Sequence, residues 1–370
     1  MKARAALLLS QPSEWHVTDV ELDEPRAGEV LVEMVAAGLC HSDDHFTTGD
    51  APIARFPFCA GHEGSGVVRK VGDGVYGLAV GDHVVTSFVP GCGLCTWCAS
   101  GRAYLCGRGR SWASGEQLDD SYRMHVDGVG IGTVGQLGTF ADRQVFDQAS
   151  LIKISSEIPL DIACLVSCAV PTGWGSAINA AGTRPGHVVI VMGIGGVGIN
   201  AVQGARFAGA RSVIAVDPVA FKRDKAKRFG ATETFATIAE AADFARSISD
   251  GQGADATIIT VGIMLPAYLT EALASVSKSG TVVVTSVGDA RTVPDVSLNM
   301  VELAVFCKRI QGVLYGLESP REQIPRILSL YRDGHLKLDE LVTNRYSLDE
   351  INKGYADMHS GSNIRGIITF

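Results

Sequence analysis

The chain has 370 residues, enough for two or three domains at about 150 residues apiece. Hydrophobic residues are 46% and charged residues 19%, a balance that excludes a disordered or highly charged polypeptide. With 32 Lys and Arg against 40 Asp and Glu and no basic run, nucleic acid and anionic membrane are not expected as partners. Lys2 and Arg4 precede an apolar stretch, Ala5 to Leu9, that is shorter than the core of a signal peptide. The longest apolar run, near Val188 to Val202, is interrupted by four glycines and Asn200, so a cytoplasmic protein without a membrane span is expected. Nine cysteines then read as metal ligands and buried thiols rather than a disulfide framework.

From residue 1 to about 169, short apolar runs of β character alternate with glycine turns. Val30 to Val35, Gly66 to Val71 and His83 to Thr86 read as strands of an antiparallel, β-rich domain, separated by GDGVYG, GD and PGCG. Residues 110–138 carry many glycines and little periodicity, and an extended surface loop is expected there. At about residue 170 the rhythm changes. HVVIVMGI, RSVIAVD, ATIITVG and TVVVTSVG read as strands, and NAVQGARFAGA, FKRDKAKRFGA and PAYLTEALASV as the helices between them. That alternation predicts βαβ units around a parallel sheet buried on both faces, over 170–312. Beyond it the chain returns to the earlier style, with helices predicted over Arg321 to Asp333 and Leu348 to Ser360. Ser347 and Glu350 suit a capping box at the start of the second, and Gly361 its stop.

Cys92, Cys95, Cys98 and Cys106 form C-x2-C-x2-C-x7-C within a lobe spanning about 91–107. Four thiolates at this spacing can close a tetrahedral shell around one zinc with no open position, which is a structural site. An iron–sulfur cluster or uncoordinated thiols are the alternatives.

Farther on, the strand HVVIVM runs into Gly193-Ile194-Gly195-Gly196-Val197-Gly198 and then a helix, which is G-x-G-x-x-G in its meaningful context. Gly193 allows the turn, Gly195 lets backbone approach a pyrophosphate, Gly198 allows close helix packing, and the helix N-terminus attracts phosphate charge. Asp217 ends the next strand about 20 residues on, where a carboxylate accepts from ribose hydroxyls and repels a 2′-phosphate, favouring NAD(H) over NADP. Lys222 reads equally as a ribose contact or as an exposed helix lysine.

Three more potential ligands are scattered: Cys40 in GLCHSDDH, His62 in GHEGSG and Cys168 in SCAVPTGWG. Singly, each reads as a core residue. Together with GHEGSGVV, the cysteine lobe, SCAVPTGWGSA, GIGGVG and the closing NIRGIITF, in that order, the whole chain resembles the zinc-dependent medium-chain alcohol dehydrogenases. The resemblance implies a GroES-like catalytic domain made of residues 1–169 and 313–370, an inserted doubly wound Rossmann domain over 170–312, and an α/β fold overall. It implies two zinc ions per chain, the catalytic one held by Cys40, His62 and Cys168 with Glu63 beside it. That donor set, two thiolates and one imidazole with a position left open, is the composition of an alcohol dehydrogenase zinc.

By the same matching Asp43 would orient His62, and Ser42 and His45 would carry the alcohol proton outward. Phe88 would line the substrate pocket, Thr172 and Val197 would back the nicotinamide, and Arg365 would meet the pyrophosphate. His41 stands where many members have a pyrophosphate-binding arginine. Asp44, His83, Cys59, Cys164 and Cys307 are read as structural. SCAVPTGWGSA, MGIGGVGINAVQGARFAGA and AVDPVAFKRDKAKRFGA look most like the actinobacterial nicotinoprotein branch, dependent on N,N-dimethyl-4-nitrosoaniline (NDMA). That branch implies a retained NAD reoxidised in place by an external electron acceptor. The expected activity is reversible hydride transfer between a small-molecule alcohol or aldehyde and NAD, in a homodimer or homotetramer. Arg110 keeps open a thiol-adduct formaldehyde dehydrogenase, and a non-catalytic zinc- and NAD-binding protein is the remote alternative.

Overall fold

The computed structural model describes residues 1–112, 115–289, 291–292 and 295–370. Two compact units are built from the chain: Met1–Cys168 with Ser319–Gly334 and Leu338–Phe370, and Ala169–Glu318 with His335–Lys337.

The first unit is organised around the strand Glu29–Gly38, buried along most of its length because its Val, Leu, Met and Ala side chains pack on both faces. Gly64–Val71 pairs antiparallel along one edge. On the other edge, Arg143–Asp147 takes the first half and the C-terminal strand Arg365–Thr369 the second. His83–Thr86 and Leu151–Ile154 extend the sheet beyond Gly64–Val71, and Val342–Tyr346 lies outside the C-terminal strand. This register has a functional consequence: Ala37 faces Gly64 and Gly38 faces Ile367, so Glu63 and Arg365 arrive on either side of Gly38. A side chain at Gly38 would occupy the space in which those two residues meet.

Residues 110–138 do not form the extended surface loop expected of them. Met124–Val126 and Val129–Gly130 complete a four-stranded sheet with Lys2–Leu7 and His16–Leu22, and residues 131–140 are buried throughout. Strands of two and three residues leave no periodicity to read, and the glycines serve packing instead: Gly132 sits where a Cβ would be 3.0 Å from the Phe58 ring. Ala113 and Ser114 lie outside the described residues, as does the side chain of Arg110. Arg123 anchors the segment. Its guanidinium reaches Glu29 at 2.6–3.0 Å and Asp119 at 2.8 Å, with the Arg123 side chain 3% exposed.

In the second unit, six parallel strands run in the order Glu233–Phe235, Ser212–Val216, Val188–Met192, Ala254–Ile259, Val276–Val284, Arg309–Gly312. Numbered along the chain this is 3-2-1-4-5-6, the doubly wound Rossmann order. Val188–Met192 and Ser212–Val216 are buried at every position, as a sheet covered on both faces requires. The order reverses between the first and fourth strands, and ligands of such sheets bind at their carboxyl ends there.

The helix Pro320–Arg332 and the capping box of Ser347 and Glu350 form as the sequence predicts. The last helix is split, with a 3-10 turn at Leu348–Glu350 leading into Ile351–His359 and Gly361 following at φ 70°. Among the described residues no single helix is long and apolar enough to cross a membrane.

Removing one member of a buried ion pair leaves the other uncompensated, at about 3–5 kcal/mol. Arg123→Ala should therefore lower the denaturant midpoint of the first unit by an amount worth about 3 kcal/mol, and the exposed Arg69→Ala should barely move it. Urea titration followed by tryptophan fluorescence measures both.

Candidate metal centres and dinucleotide turn

The lobe cysteines converge. The sulfurs of Cys92, Cys95, Cys98 and Cys106 all lie within 4.8 Å of one another, with Cys92 to Cys98 at 3.8 Å and Cys95 to Cys106 at 4.0 Å. Four sulfurs around zinc at about 2.3 Å stand about 3.8 Å apart, so the set fits one tetrahedral ion. Backbone amides point at the sulfurs: Cys95 N reaches Cys92 Sγ at 3.4 Å and Cys98 N reaches Cys95 Sγ at 3.5 Å. Hydrogen bonding from the Cys98 and Gly107 backbone draws the Cys95 thiol down to about 6, whereas burial pushes the Cys98 and Cys106 thiols up.

A second cluster gathers residues far apart in sequence. Ligand atoms of Cys40, His62, Glu63 and Cys168 lie within 4.8 Å of one another, all four residues buried. Cys40 caps the helix His41–Thr48, His62 and Glu63 enter the strand Gly64–Val71, and Cys168 follows the 3-10 turn Cys164–Ser167. His62 Nδ1 faces the buried Asp43 carboxylate at 3.0–3.1 Å, and Asp43 is itself held by the Gly61 amide at 2.9 Å. That leaves His62 Nε2 buried and without a hydrogen bond, the state of a ring nitrogen prepared for a metal.

The electrostatics are dense. Hydrogen bonding from Cys168 and the charge of His62 hold the Cys40 thiol well below its usual range, against the effect of burial. Burial pushes His62 down, but Asp43 and Cys40 together raise it well above its usual range. Burial lifts Glu63 to about 8 despite the pull of Arg365. Arg365, expected at the pyrophosphate, is 5% exposed and bonds to Glu63.

Around this cluster stand Ser42 and His45 on the helix His41–Thr48, with His41 exposed at its start. The structure adds Asp50, whose Oδ2 lies 3.4 Å from His45 Nδ1 and accepts from Thr48 Oγ1 at 2.7 Å. Gly49, at φ 85°, ends the helix and turns Asp50 back toward His45. Asp44 proves structural, pairing with His359 at 2.7 Å. Cys59 and Cys164 are buried and burial pushes both thiols up; Cys307 is exposed. Phe88 meets the His62 ring edge-on at 5.6 Å, as does Trp112, and the two aromatics are 5.5 Å apart. Trp112 has no motif to betray it. It is clamped from behind by Gly135, where a Cβ would stand 3.2 Å from the indole.

In the second unit the three glycines of the turn meet different constraints. Gly193 holds φ 93°, a Cβ at Gly195 would meet nothing within 4 Å, and one at Gly198 would strike the Gly193 carbonyl. The room beside Gly195, at the start of the helix Gly196–Phe207, suits a pyrophosphate. Asp217 is buried, with one oxygen accepting from Ile194 N at 2.8 Å and the other from Val219 N at 2.9 Å. Thr260, unread in the sequence, donates to the Gly193 carbonyl at 2.6 Å and steadies the turn. Arg223, beside Lys222 on the helix Ala220–Arg228, donates to the Asp217 and Pro218 carbonyls at 2.7 and 2.8 Å. Thr172 is buried with an unpartnered hydroxyl, and Gly173 packs where a Cβ would overlap the Val197 carbonyl.

Cys98→Ser should cost one zinc per chain and lower thermal stability, because metal binding and folding of such a lobe are one free energy. Elemental analysis that finds the wild-type metal content in this variant would refute the four-sulfur site.

Residues 26–156 match the alcohol dehydrogenase GroES-like domain and residues 196–332 the zinc-binding dehydrogenase domain. Over 368 residues the chain is 48% identical to an NDMA-dependent alcohol dehydrogenase of Amycolatopsis methanolica, covering 100% of this chain and 99% of that one. The solved structure of an alcohol dehydrogenase zinc-binding domain protein from Burkholderia ambifaria is similar at TM-score 0.93 and 30% identity, covering 100% and 99% of the two chains. Benzyl alcohol dehydrogenase from Acinetobacter calcoaceticus follows at TM-score 0.91 and 28% identity, with the same coverage. A GroES-like domain carrying two convergent ligand clusters, joined in one chain to a Rossmann domain with an intact glycine turn, thus belongs to the zinc-binding alcohol dehydrogenase family.

Proposed function

We propose that this chain oxidises alcohols to aldehydes or ketones, reversibly, by hydride transfer to NAD, with one catalytic and one structural zinc. The observation that carries the reading is the buried set of two sulfurs and one unpartnered imidazole nitrogen at Cys40, Cys168 and His62. Zinc bound there supplies a Lewis acid that lowers the pKa of an alcohol hydroxyl. Cys92, Cys95, Cys98 and Cys106 hold the structural ion.

The chain's own groups do the rest. Asp43 fixes His62 through Nδ1, and Arg365 holds Glu63 beside the ligands. Ser42 and His45 carry the alcohol proton toward solvent, with Asp50 steadying the His45 ring. Phe88 and Trp112 wall the substrate side of His62. Gly193, Gly195 and Gly198 cradle the pyrophosphate, Asp217 and Lys222 take the adenosine ribose, and Thr172 and Val197 back the nicotinamide. His41, in place of arginine, brings only partial charge to the pyrophosphate at neutral pH. Asp217, already fixed by two amides, presents its carboxylate without reorganising, which favours NAD over NADP.

The kinship with an NDMA-dependent enzyme supports a bound NAD that is reoxidised in place by an external acceptor. A cytoplasmic homodimer or homotetramer, with no nucleic-acid or membrane partner, completes the proposal. The edge strand Arg309–Gly312, exposed at all four residues, supports subunit pairing, since such an edge left bare invites a partner strand.

Extensive dialysis followed by absorbance and mass analysis tests the cofactor. Near one NAD(H) per subunit should remain, free NAD should barely support alcohol oxidation, and a nitrosoaniline should restore turnover. Steady release of NADH from cofactor-depleted protein given free NAD would place the chain among ordinary exchanging dehydrogenases. Oxidation of formaldehyde only with a small thiol would favour the adduct-dependent activity instead.

Two substitutions separate the roles around the zinc. His45→Gln should slow proton release and shift the pH profile of kcat with zinc intact, whereas Cys40→Ala should remove the catalytic zinc and nearly all turnover. Equal zinc loss in both would refute the assignment. Trp112→Ala should raise KM for aryl and long-chain alcohols several-fold more than for ethanol, because it removes apolar wall that small alcohols do not fill; a uniform change would remove Trp112 from the substrate side.

A further inference from the structure

His62 and Cys168 are brought side by side from segments more than a hundred residues apart, and something must fix their separation. Between them lie two buried hydroxyls. Thr86, the last residue of the strand His83–Thr86, is 2% exposed, and Ser167, immediately before Cys168, is fully buried. Their hydrogen bonds close into one consistent pattern. Gly64 N donates to Thr86 Oγ1 at 2.9 Å, Thr86 Oγ1 donates to the His62 carbonyl at 3.1 Å, and Ser167 Oγ donates to the Gly64 carbonyl at 3.1 Å. The hydroxyls are 3.4 Å apart, and Ser167 Oγ also lies 3.3 Å from Gly64 N. Thr86 Oγ1 also lies 3.4 Å from the Gly64 carbonyl, so both hydroxyls bond to the His62–Gly64 segment.

We propose that Thr86 and Ser167 are positioning residues: a two-hydroxyl clasp that pins the His62–Gly64 backbone to the Cys168 segment and sets the spacing of two zinc ligands. The proposal rests on the zinc reading above. His62 is then held at both ends, its ring by Asp43 and its carbonyl by Thr86. Cys168 has no such ring contact. Its place depends on the residue before it, and Ser167 is the only side chain of its 3-10 turn, among the described residues, with a hydrogen bond to the His62–Gly64 segment. Removing the Thr86 hydroxyl leaves the His62 carbonyl without its hydroxyl donor and forces Gly64 N onto the longer bond to Ser167. Buried backbone left so poorly paired relaxes by shifting. A shift of a few tenths of an ångström at one ligand is enough to weaken a tetrahedral site.

Thr86→Val keeps the size and removes the hydroxyl; Thr86→Ser keeps the hydroxyl. Zinc per chain is measured on the purified enzyme during timed exposure to a small chelator, while alkylation and peptide mapping report which cysteines become accessible. The lobe cysteines serve as the internal control. Thr86→Val should release one zinc roughly 10-fold faster than wild type or more, with Cys40 and Cys168 newly alkylated and the lobe protected. Ser167→Ala should do the same more weakly, and Thr86→Ser should behave as wild type. Wild-type release kinetics in Thr86→Val would overturn the clasp. So would parallel loss of both metals with a lowered melting temperature, since that is general destabilisation, or a Thr86→Ser variant as defective as Thr86→Val. Wild-type enzyme that holds zinc only in the lobe would instead overturn the catalytic-zinc reading beneath it, a different and separately visible failure.

Discussion

Six ionisable side chains, Cys40, Asp43, His62, Glu63, Cys168 and Arg365, are all buried within one corner of the first unit, and burying charge is costly unless each group meets a partner. Much of the local architecture follows from meeting that demand. Asp43 takes His62 Nδ1, Arg365 takes Glu63, and the two sulfurs share hydrogen bonding. Gly38 has no side chain because the Glu63 and Arg365 pair fills the space it would need. The sheet register that sets Gly64 against Ala37 and Ile367 against Gly38 is thus a functional feature as well as a packing one. His62 Nε2 is among the buried atoms of the set left without a hydrogen bond, with Glu63 Oε1 and Arg365 Nε, and of these it is the one that stands with two sulfurs in a donor set that suits a cation.

The second unit solves a different electrostatic problem with the same means. A pyrophosphate needs backbone amides and a helix N-terminus, and these must be held open without the ligand. Asp217 and Thr260 do this, the first by accepting from the Ile194 and Val219 amides and the second by donating to the Gly193 carbonyl. A preformed turn reduces the ordering that binding must impose. That economy matters for a cofactor proposed to stay bound while His41 offers less charge than an arginine would.

Trp112, Asp50, Thr86 and Ser167 share a property: each meets His45 or the His62–Gly64 segment through space, from a stretch with no motif. Trp112 comes from a stretch that looks like a loop, yet the stretch is packed because Arg123 and Glu29 tie it to the central strand. Asp50 reaches His45 only because Gly49 ends the helix in a left-handed turn. Thr86 is an ordinary β-branched strand residue until the register brings Gly64 opposite it.

Local spacing was enough to read the cysteine lobe, the glycine turn with Asp217, the alternation of the parallel sheet and the capping box at Ser347, because each depends on contacts within a few residues or one βαβ unit. Cys40, His62 and Cys168 were visible only through resemblance to a family, since nothing in the spacing of three scattered residues says that they meet. Residues 110–138 show no such signal, because strands of two or three residues carry no period. The register of the Glu29–Gly38 strand, the pairing of Glu63 with Arg365 and the Thr86 and Ser167 clasp were decided by tertiary structure alone. They depend on which strands lie side by side, and that choice is made by burial of the whole sheet rather than by any local run of residues.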